Sequence, residues 1–201
     1  WRGGGGMSWQ ILAGISKSAV TFHKIDTGVD TGEIVFSKNF MYPDLAQIPK
    51  ERNKYMSEIA WEAFVDLIEY FVVNRGLPIA RVQDEGMSSY FPRLDSSSQA
   101  CIDWYWSADE IARFIAAFDD PYPGAFSYIA GSKEKFFFKK AKPLKEEGNF
   151  HPFQAGIIFR IDHIGIYVCT RGGALVIEEV FDQDGNQAIE KLKAGDRIYT
   201  P

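Results

Sequence analysis

The 201-residue chain has no long apolar run; its longest, such as Phe136-Phe137-Phe138, extend over a few residues. A helix that spans a bilayer needs roughly 20 consecutive apolar residues, so none is expected here. Cysteine is scarce. Cys101 and Cys169 lie in apolar surroundings far apart in sequence, and read as buried thiols of a reducing compartment, with one disulfide between them as the alternative. No basic start leads into an apolar run and a small-residue cleavage site, so export is unsupported and the cytoplasm is the expected location. There is no surplus of positive charge: 22 Lys and Arg stand against 27 Asp and Glu, a net charge of −5. Bulk charge therefore disfavours non-specific nucleic-acid binding. No internal repeat is evident, which argues against a solenoid.

What is present is an ordinary globular balance, 46% hydrophobic and 24% charged. It suits one large domain or two small ones with material for a core. The opening Trp1-Arg2-Gly3-Gly4-Gly5-Gly6 is unusual for a mature cytosolic protein. The sequence is read as a piece whose upstream part is missing.

Periodicity gives the elements. Trp9, Ile11, Leu12 and Ile15 predict a short helix over Met7–Ile15, and Val20–Ile25 alternates as a strand. Asp26-Thr27-Gly28-Val29-Asp30-Thr31-Gly32 is a turn-forming run into a second strand over Glu33–Phe40. Tyr55, Ile59, Trp61, Phe64, Leu67, Ile68 and Phe71 form an apolar stripe on a helix over Lys50–Asn74, read as core and ended by Asn74-Arg75-Gly76. Leu77–Leu94, with Pro78, Gly86 and Pro92, changes character, and residues 81–95 are expected to link a first domain (1–80) to a second (96–201). Ser107-Ala108-Asp109-Glu110 is a capping box that opens a helix through Phe118, stopped by Asp119-Asp120-Pro121. Short strands then follow at Ala125–Ile129, Lys135–Ala141, Gly156–Ile161, Ile164–Thr170 and Ala174–Val180, a spacing that suggests a small barrel or sandwich. Lys133 to Lys145 holds six lysines around the three phenylalanines. The plain reading of that row is an amphipathic strand with a solvated edge.

The Asp26–Gly32 run sets two carboxylates four residues apart on a loop between apolar strands. Gly28 and Gly32 would permit positive φ and close approach of a ligand to the backbone. Equally, the aspartates could cap their own backbone in a tight connection. A calcium loop counted from Asp26 would need Glu at its twelfth position and meets Ser37, so calcium is rejected and no metal is expected. Asp-Thr-Gly occurs twice, but an aspartic-protease pair needs carboxylates about 3 Å apart from separate lobes or subunits. Only a homodimer could supply them.

The flanks of this loop carry a resemblance. Arg2-Gly3 with Ser8-Trp9-Gln10-Ile11-Leu12-Ala13-Gly14, and the ordered run Val20 to Ile34, are similar to the folate-dependent formyltransferases, whose loop reads Gly-Val-Thr-Leu-His-x-Met/Ile-Asp-x-Gly-x-Asp-Thr-Gly-Asp/Pro-Ile. Ile102-Asp103-Trp104, Asp120 to Phe126 and Leu192 to Ile198 look like that family's C-terminal domain. The resemblance covers essentially the whole chain. It implies an α/β protein: the end of a Rossmann-like formyltransferase domain followed by a small OB-like β-barrel. It implies a transferase with 10-formyltetrahydrofolate as donor co-substrate. The family's catalytic Asp falls on Asp30, while Ile25, Asp26, Thr27, Gly28, Val29, Thr31 and Gly32 fall on the folate side. Asp26 more plainly shapes the loop than reacts. The family's Asn-x-His element would sit upstream of Trp1, so the piece alone is expected to be inactive. His23, in a strand, does not replace it. The acceptor implied is a primary amine: a nucleotide-linked 4-amino sugar, or the methionyl group on initiator tRNA. Residues after Leu94 hold 12 basic and 16 acidic side chains, which leans toward the sugar, and the lysine row pulls the other way. A non-catalytic module of the same build is the alternative from another class. No membrane partner is expected.

Overall fold

The computed structural model describes residues 2–132, 134–144 and 147–200. Trp1, Lys133 and Lys145 lie outside them, so the predicted lysine row is described only over its inner members. The chain divides into two units, residues 1–94 and 95–201.

The first unit runs β1 (Arg2–Gly3), α1 (Gly6–Leu12), β2 (Lys17–His23), β3 (Ile34–Met41), α2 (Pro49–Asn74) and β4 (Tyr90–Phe91), with a single 3-10 turn at Glu85–Met87 before β4. β2 and β3 pair antiparallel from Lys17 opposite Met41 to Phe22 opposite Phe36, and an irregularity then sets His23 opposite Ile34. One residue of β3 is thereby left over, a bulge of the kind that turns the side chain beside it. Strand periodicity gives β2 two faces. Phe22 packs toward α2, its ring 6.4 Å from that of Phe64. Lys17, Ala19, Thr21 and His23 share the opposite face.

Helix α2 starts on a polar anchor. The Glu51 carboxylate accepts from the backbone N–H groups of Gln47 and Ile48 at 2.9 and 3.3 Å, supplying partners that a helix N-terminus lacks. Buried Arg52 donates to the carbonyls of Ala46 and Ile15 at 3.1 and 2.9 Å. The helix ends with Arg75 in the left-handed region at φ 52°. The sequence predicts a buried stripe along this helix, and the structure corrects that. Ala63 and Leu67 are buried, but Trp61 is 67% exposed, and Phe64, Ile68 and Phe71 are exposed as well. A helix of 26 residues is about 39 Å long at 1.5 Å per residue. A two-stranded sheet cannot cover such a length on every side.

Of residues 81–95, read from composition as a linker, 81–94 fall in the first unit and are hydrogen-bonded into it. Arg81 and Ile34 exchange two backbone bonds of 2.8 Å, and β4 pairs in parallel with β1.

The second unit holds α3 (Ser96–Gln99), α4 (Ala108–Ala117), β5 (Ala125–Ile129), β6 (Lys135–Leu144), β7 (Ile158–Ile161), β8 (Ile166–Thr170), β9 (Gly173–Phe181) and β10 (Ile198–Tyr199). The strands form one antiparallel sheet in the order β10-β5-β6-β9-β8-β7. It curls until its outer strands meet: Ile158 N–H donates to the Asp196 carbonyl, Gly195 N–H to Ile158 and Ile198 N–H to Gly156. Inside lie Trp104, Phe118, Phe136, Phe138, Ile111 and Leu175, all fully buried. Trp104 satisfies its indole N–H on Ser127 Oγ at 3.0 Å, and that hydroxyl donates to the Tyr199 carbonyl at 2.6 Å. The predicted capping box is present, with Glu110 N–H on Ser107 Oγ and Ser107 N–H on Glu110 Oε2. Cys101 and Cys169 are free thiols, and burial pushes Cys169 up to about 11. The chain as a whole has α/β content with a curled β-sheet.

Candidate functional site

The Asp26–Gly32 run forms the connection between β2 and β3, closed by a 2.9 Å bond from Lys24 N–H to the Glu33 carbonyl. Asp26 organises it from within. Its Oδ1 accepts from Gly28 N–H at 3.0 Å and from the Thr31 hydroxyl at 2.6 Å. The Thr31 hydroxyl, then the Gly28 N–H, hold the Asp26 carboxyl below its ordinary range. This is the self-capping geometry available to aspartate in turns.

The glycines do not supply the positive φ expected of them; that conformation belongs to Asp30, at φ 56°. Aspartate is among the few residues that tolerate it. Gly28 and Gly32 serve close approach instead. A Cβ on Gly32 would stand 1.8 Å from the Lys24 carbonyl oxygen, and one on Gly28 would stand 2.1 Å from Thr31 Oγ1.

Asp30 opens on a cleft of about 820 Å³ within the first unit. The floor is the face of β2 that carries Lys17, Ala19, Thr21 and His23, and residues 81–84 with Arg2 line its side. Of the eight residues that the resemblance assigns to catalysis or folate, Asp30 alone lines this cleft. Ile25 and Val29 instead present apolar side chains to solvent.

Two arrangements escape the sequence. The first sets His23 beside Asp30. The His23 Nδ1 lies 2.9 Å from the Lys24 carbonyl, and a carbonyl only accepts, so Nδ1 carries the proton. That leaves Nε2 facing Asp30 Oδ1 at 3.7 Å. The second is a polar chain from the opposite wall. Arg2 donates through both terminal nitrogens to Glu85, at 2.8 and 2.9 Å, and to Gln83 Oε1 at 3.0 Å. Gln83 Nε2 in turn donates to the backbone carbonyls of Asp30 and Gly32 at 2.9 and 2.6 Å. The Arg2 guanidinium holds the Glu85 carboxyl below its usual range. No sequence signal marks Gln83 or Glu85, because both fall in a stretch that reads as linker. His23 is visible as a strand histidine, but the bulge that brings it beside Asp30 is not. Among the described residues no group of His, Cys, Asp and Glu side chains is arranged to hold a metal, and no helix is long and apolar enough to cross a membrane.

On the second unit, three of the described lysines of β6 are paired with carboxylates. Lys139 meets Asp120 at 2.6 Å, Lys140 meets Glu179 at 2.5 Å and Lys142 meets Glu178 at 2.5 Å. Lys135 sits 3.4 Å over the Phe126 ring.

Comparison with known proteins gives concordant matches. Residues 96–195 match the family described as formyl transferase, C-terminal domain. A methionyl-tRNA formyltransferase of Thiobacillus denitrificans is 30% identical over 180 residues, 90% of this chain and 55% of that protein. HypX from Aquifex aeolicus in complex with tetrahydrofolic acid shares the fold at a TM-score of 0.66 and 21% identity, over 92% of this chain and 31% of that one. An N-formyltransferase from Helicobacter canadensis, in complex with folinic acid and dTDP-3-aminofucose, does so at a TM-score of 0.60 and 20% identity, over 90% of this chain and 62% of that one. The chain spans about half the length of the curated relatives it matches.

Proposed function

From the premise that this chain belongs to the formyltransferase family, we propose that it is the part of a 10-formyltetrahydrofolate-dependent enzyme that carries Asp30 as its catalytic carboxylate, with the backbone of residues 25–32 on the folate side. The observation that carries the reading is the placement of Asp30. The one loop whose order of residues resembles the family's sets this carboxylate on the wall of a large cleft. It is 51% exposed there, accessible to a substrate yet anchored by its backbone.

The chemistry follows from formyl transfer itself. The lone pair of a neutral amine attacks the formyl carbon on N10 of the folate, and a tetrahedral intermediate with an oxyanion forms. The C–N10 bond breaks, N10 gains a proton, and the nitrogen of the new formamide loses one. A carboxylate at Asp30 can take the amine proton and return it to N10 through water. The oxyanion needs donors already aimed at it; in the family these are an Asn and a His, so the reading is of the complete protein's activity. The apolar side chains of Ile25 and Val29, both largely exposed, suit the face of a flat heterocycle.

For the acceptor, a nucleotide-linked amino sugar is the first reading. Three of the described β6 lysines, Lys139, Lys140 and Lys142, are each paired with a neighbouring carboxylate, so they offer little to phosphates. The sugar enzyme from Helicobacter canadensis supports this class, although its ligand carries the amine at the 3-position where the sequence reading favours the 4-position. Methionyl-tRNA is the second reading, favoured by the identity to tRNA formyltransferases. Filter binding of initiator tRNA at two salt concentrations separates them: weak binding at both is expected, and tight, strongly salt-dependent binding would reverse the order. The function itself is tested by Asp30→Asn in the complete protein. A fall in turnover on the order of 10²–10⁴ with folding intact is expected, and near-normal turnover refutes the assignment.

A further inference from the structure

We infer that Gln83 is the positioning residue for Asp30, an inference that rests on the catalytic reading of that carboxylate. Asp30 is left-handed, and Gln83 meets two carbonyls that follow its Cα, those of Asp30 and Gly32. Nε2 donates to the Asp30 carbonyl at 2.9 Å and to the Gly32 carbonyl at 2.6 Å. The orientation of the amide is fixed by its other end. Oε1 accepts from Arg2 Nη2 at 3.0 Å, and a guanidinium offers only donors, so the oxygen must face Arg2 and the nitrogen must face the loop. Arg2 is in turn locked by its two bonds to Glu85. Both hydrogens of the Gln83 amide are spent on backbone, and its oxygen is spent on Arg2. Although Gln83 lines the cleft, it has no donor left for a substrate and acts through the loop it holds. The direction of the Asp30 side chain depends on φ and ψ of a residue in a sparsely populated region, and holding the Asp30 and Gly32 carbonyls fixes the backbone that leaves it. The clamp comes from 51 and 53 residues away in sequence.

The test is made in the full-length protein with Gln83→Ala and Gln83→Met; the latter keeps the length and removes the donors. With the acceptor that wild type uses, kcat is expected to fall about 10²-fold, the scale of an ångström-sized misplacement of a catalytic group. KM for 10-formyltetrahydrofolate and the melting temperature are expected to hold. In an Asp30→Asn background, Gln83→Met should add no further loss, because the group it positions is gone. Wild-type kcat in both Gln83 variants, with Asp30→Asn disabled, overturns the inference and leaves the catalytic reading standing. A rise in KM alone, or an additive loss in the double variant, overturns it too, since Gln83 would then act directly. Loss of folding in both variants assigns Gln83 a structural part instead. Normal turnover of Asp30→Asn, or a wild type that formylates neither amine class, removes the catalytic reading and the inference with it.

Discussion

The two units solve the same problem with different means. In residues 95–201 a sheet curls on itself, and the large apolar side chains lie inside: Trp104, Phe118, Phe136 and Phe138 show almost no surface. In residues 1–94 two strands and one long helix leave Trp61, Phe64, Ile68 and Phe71 on the outside, while the other face of β2 is given to a polar cleft. A closed sheet buries every inward residue whatever follows it. An open pair of strands has one face for packing and one for chemistry. The contrast extends to a shared device. Asp26 in the first unit and Asp182 in the second both accept from the backbone N–H two residues on, at 3.0 Å each. Asp182 is buried and also holds Lys191, so it ties down a core. Asp26 is exposed and shapes a loop.

If the division between a chemical and a structural unit is right, single changes should separate activity from stability. The largest effect belongs to Asp30→Asn, which costs on the order of 10²–10⁴ in turnover with an unchanged circular-dichroism melt. Phe138→Ala, in the closed sheet, should do the reverse and lower stability by about 3–5 kcal/mol in urea denaturation. Phe64→Ala, on the exposed helix face, should cost under about 1 kcal/mol in the same assay; an equal cost for the two would erase the contrast. Acid should weaken the second unit through Asp182. The backbone N–H of Asn186, the Lys191 ammonium and the Asp184 N–H hold its carboxyl below the ordinary range. A depressed folded value gives stabilisation that is present above the unfolded value of about 4 and is lost as pH falls through the folded one. The stability of Asp182→Asn, followed by urea denaturation from pH 6 down to pH 2, should therefore depend less on pH below about 4 than wild type does. Smallest is Arg75→Gly. A non-glycine residue closes α2 in the left-handed region, and glycine there should raise stability by about 0.5–1 kcal/mol, read as a rise of a few degrees in the melting temperature.

Much of the local structure was legible. Asp26–Gly32 reads as a turn between two strands, Ser107 and Glu110 read as a capping box, and Ala125–Ile129 reads as a strand, each because the signal lies within a few neighbouring residues. The stripe on α2 was legible as a helix but not as a surface, since periodicity tells which residues share a face and nothing about what that face meets. Gln83 and Glu85 are silent for the same reason. A glutamine and a glutamate in a proline- and glycine-bearing stretch carry no pattern of their own, and Arg2, read only as part of a motif, gives no sign of the residues it meets.

The sequence by itself marked the longer helices and strands, the turn over Asp26–Gly32 and the kinship that points to Asp30, because helical and strand periods, turn chemistry and ordered identities are properties of adjacent residues. Only the tertiary structure decided that Asp30 is left-handed and faces a cleft, that His23 stands beside it, and that an amide some fifty positions away holds its backbone. The last of these arises from long-range pairing of β3 with residue 81 and of β1 with β4. Hydrogen bonds across such separations are selected by the assembled fold and leave no trace in local spacing.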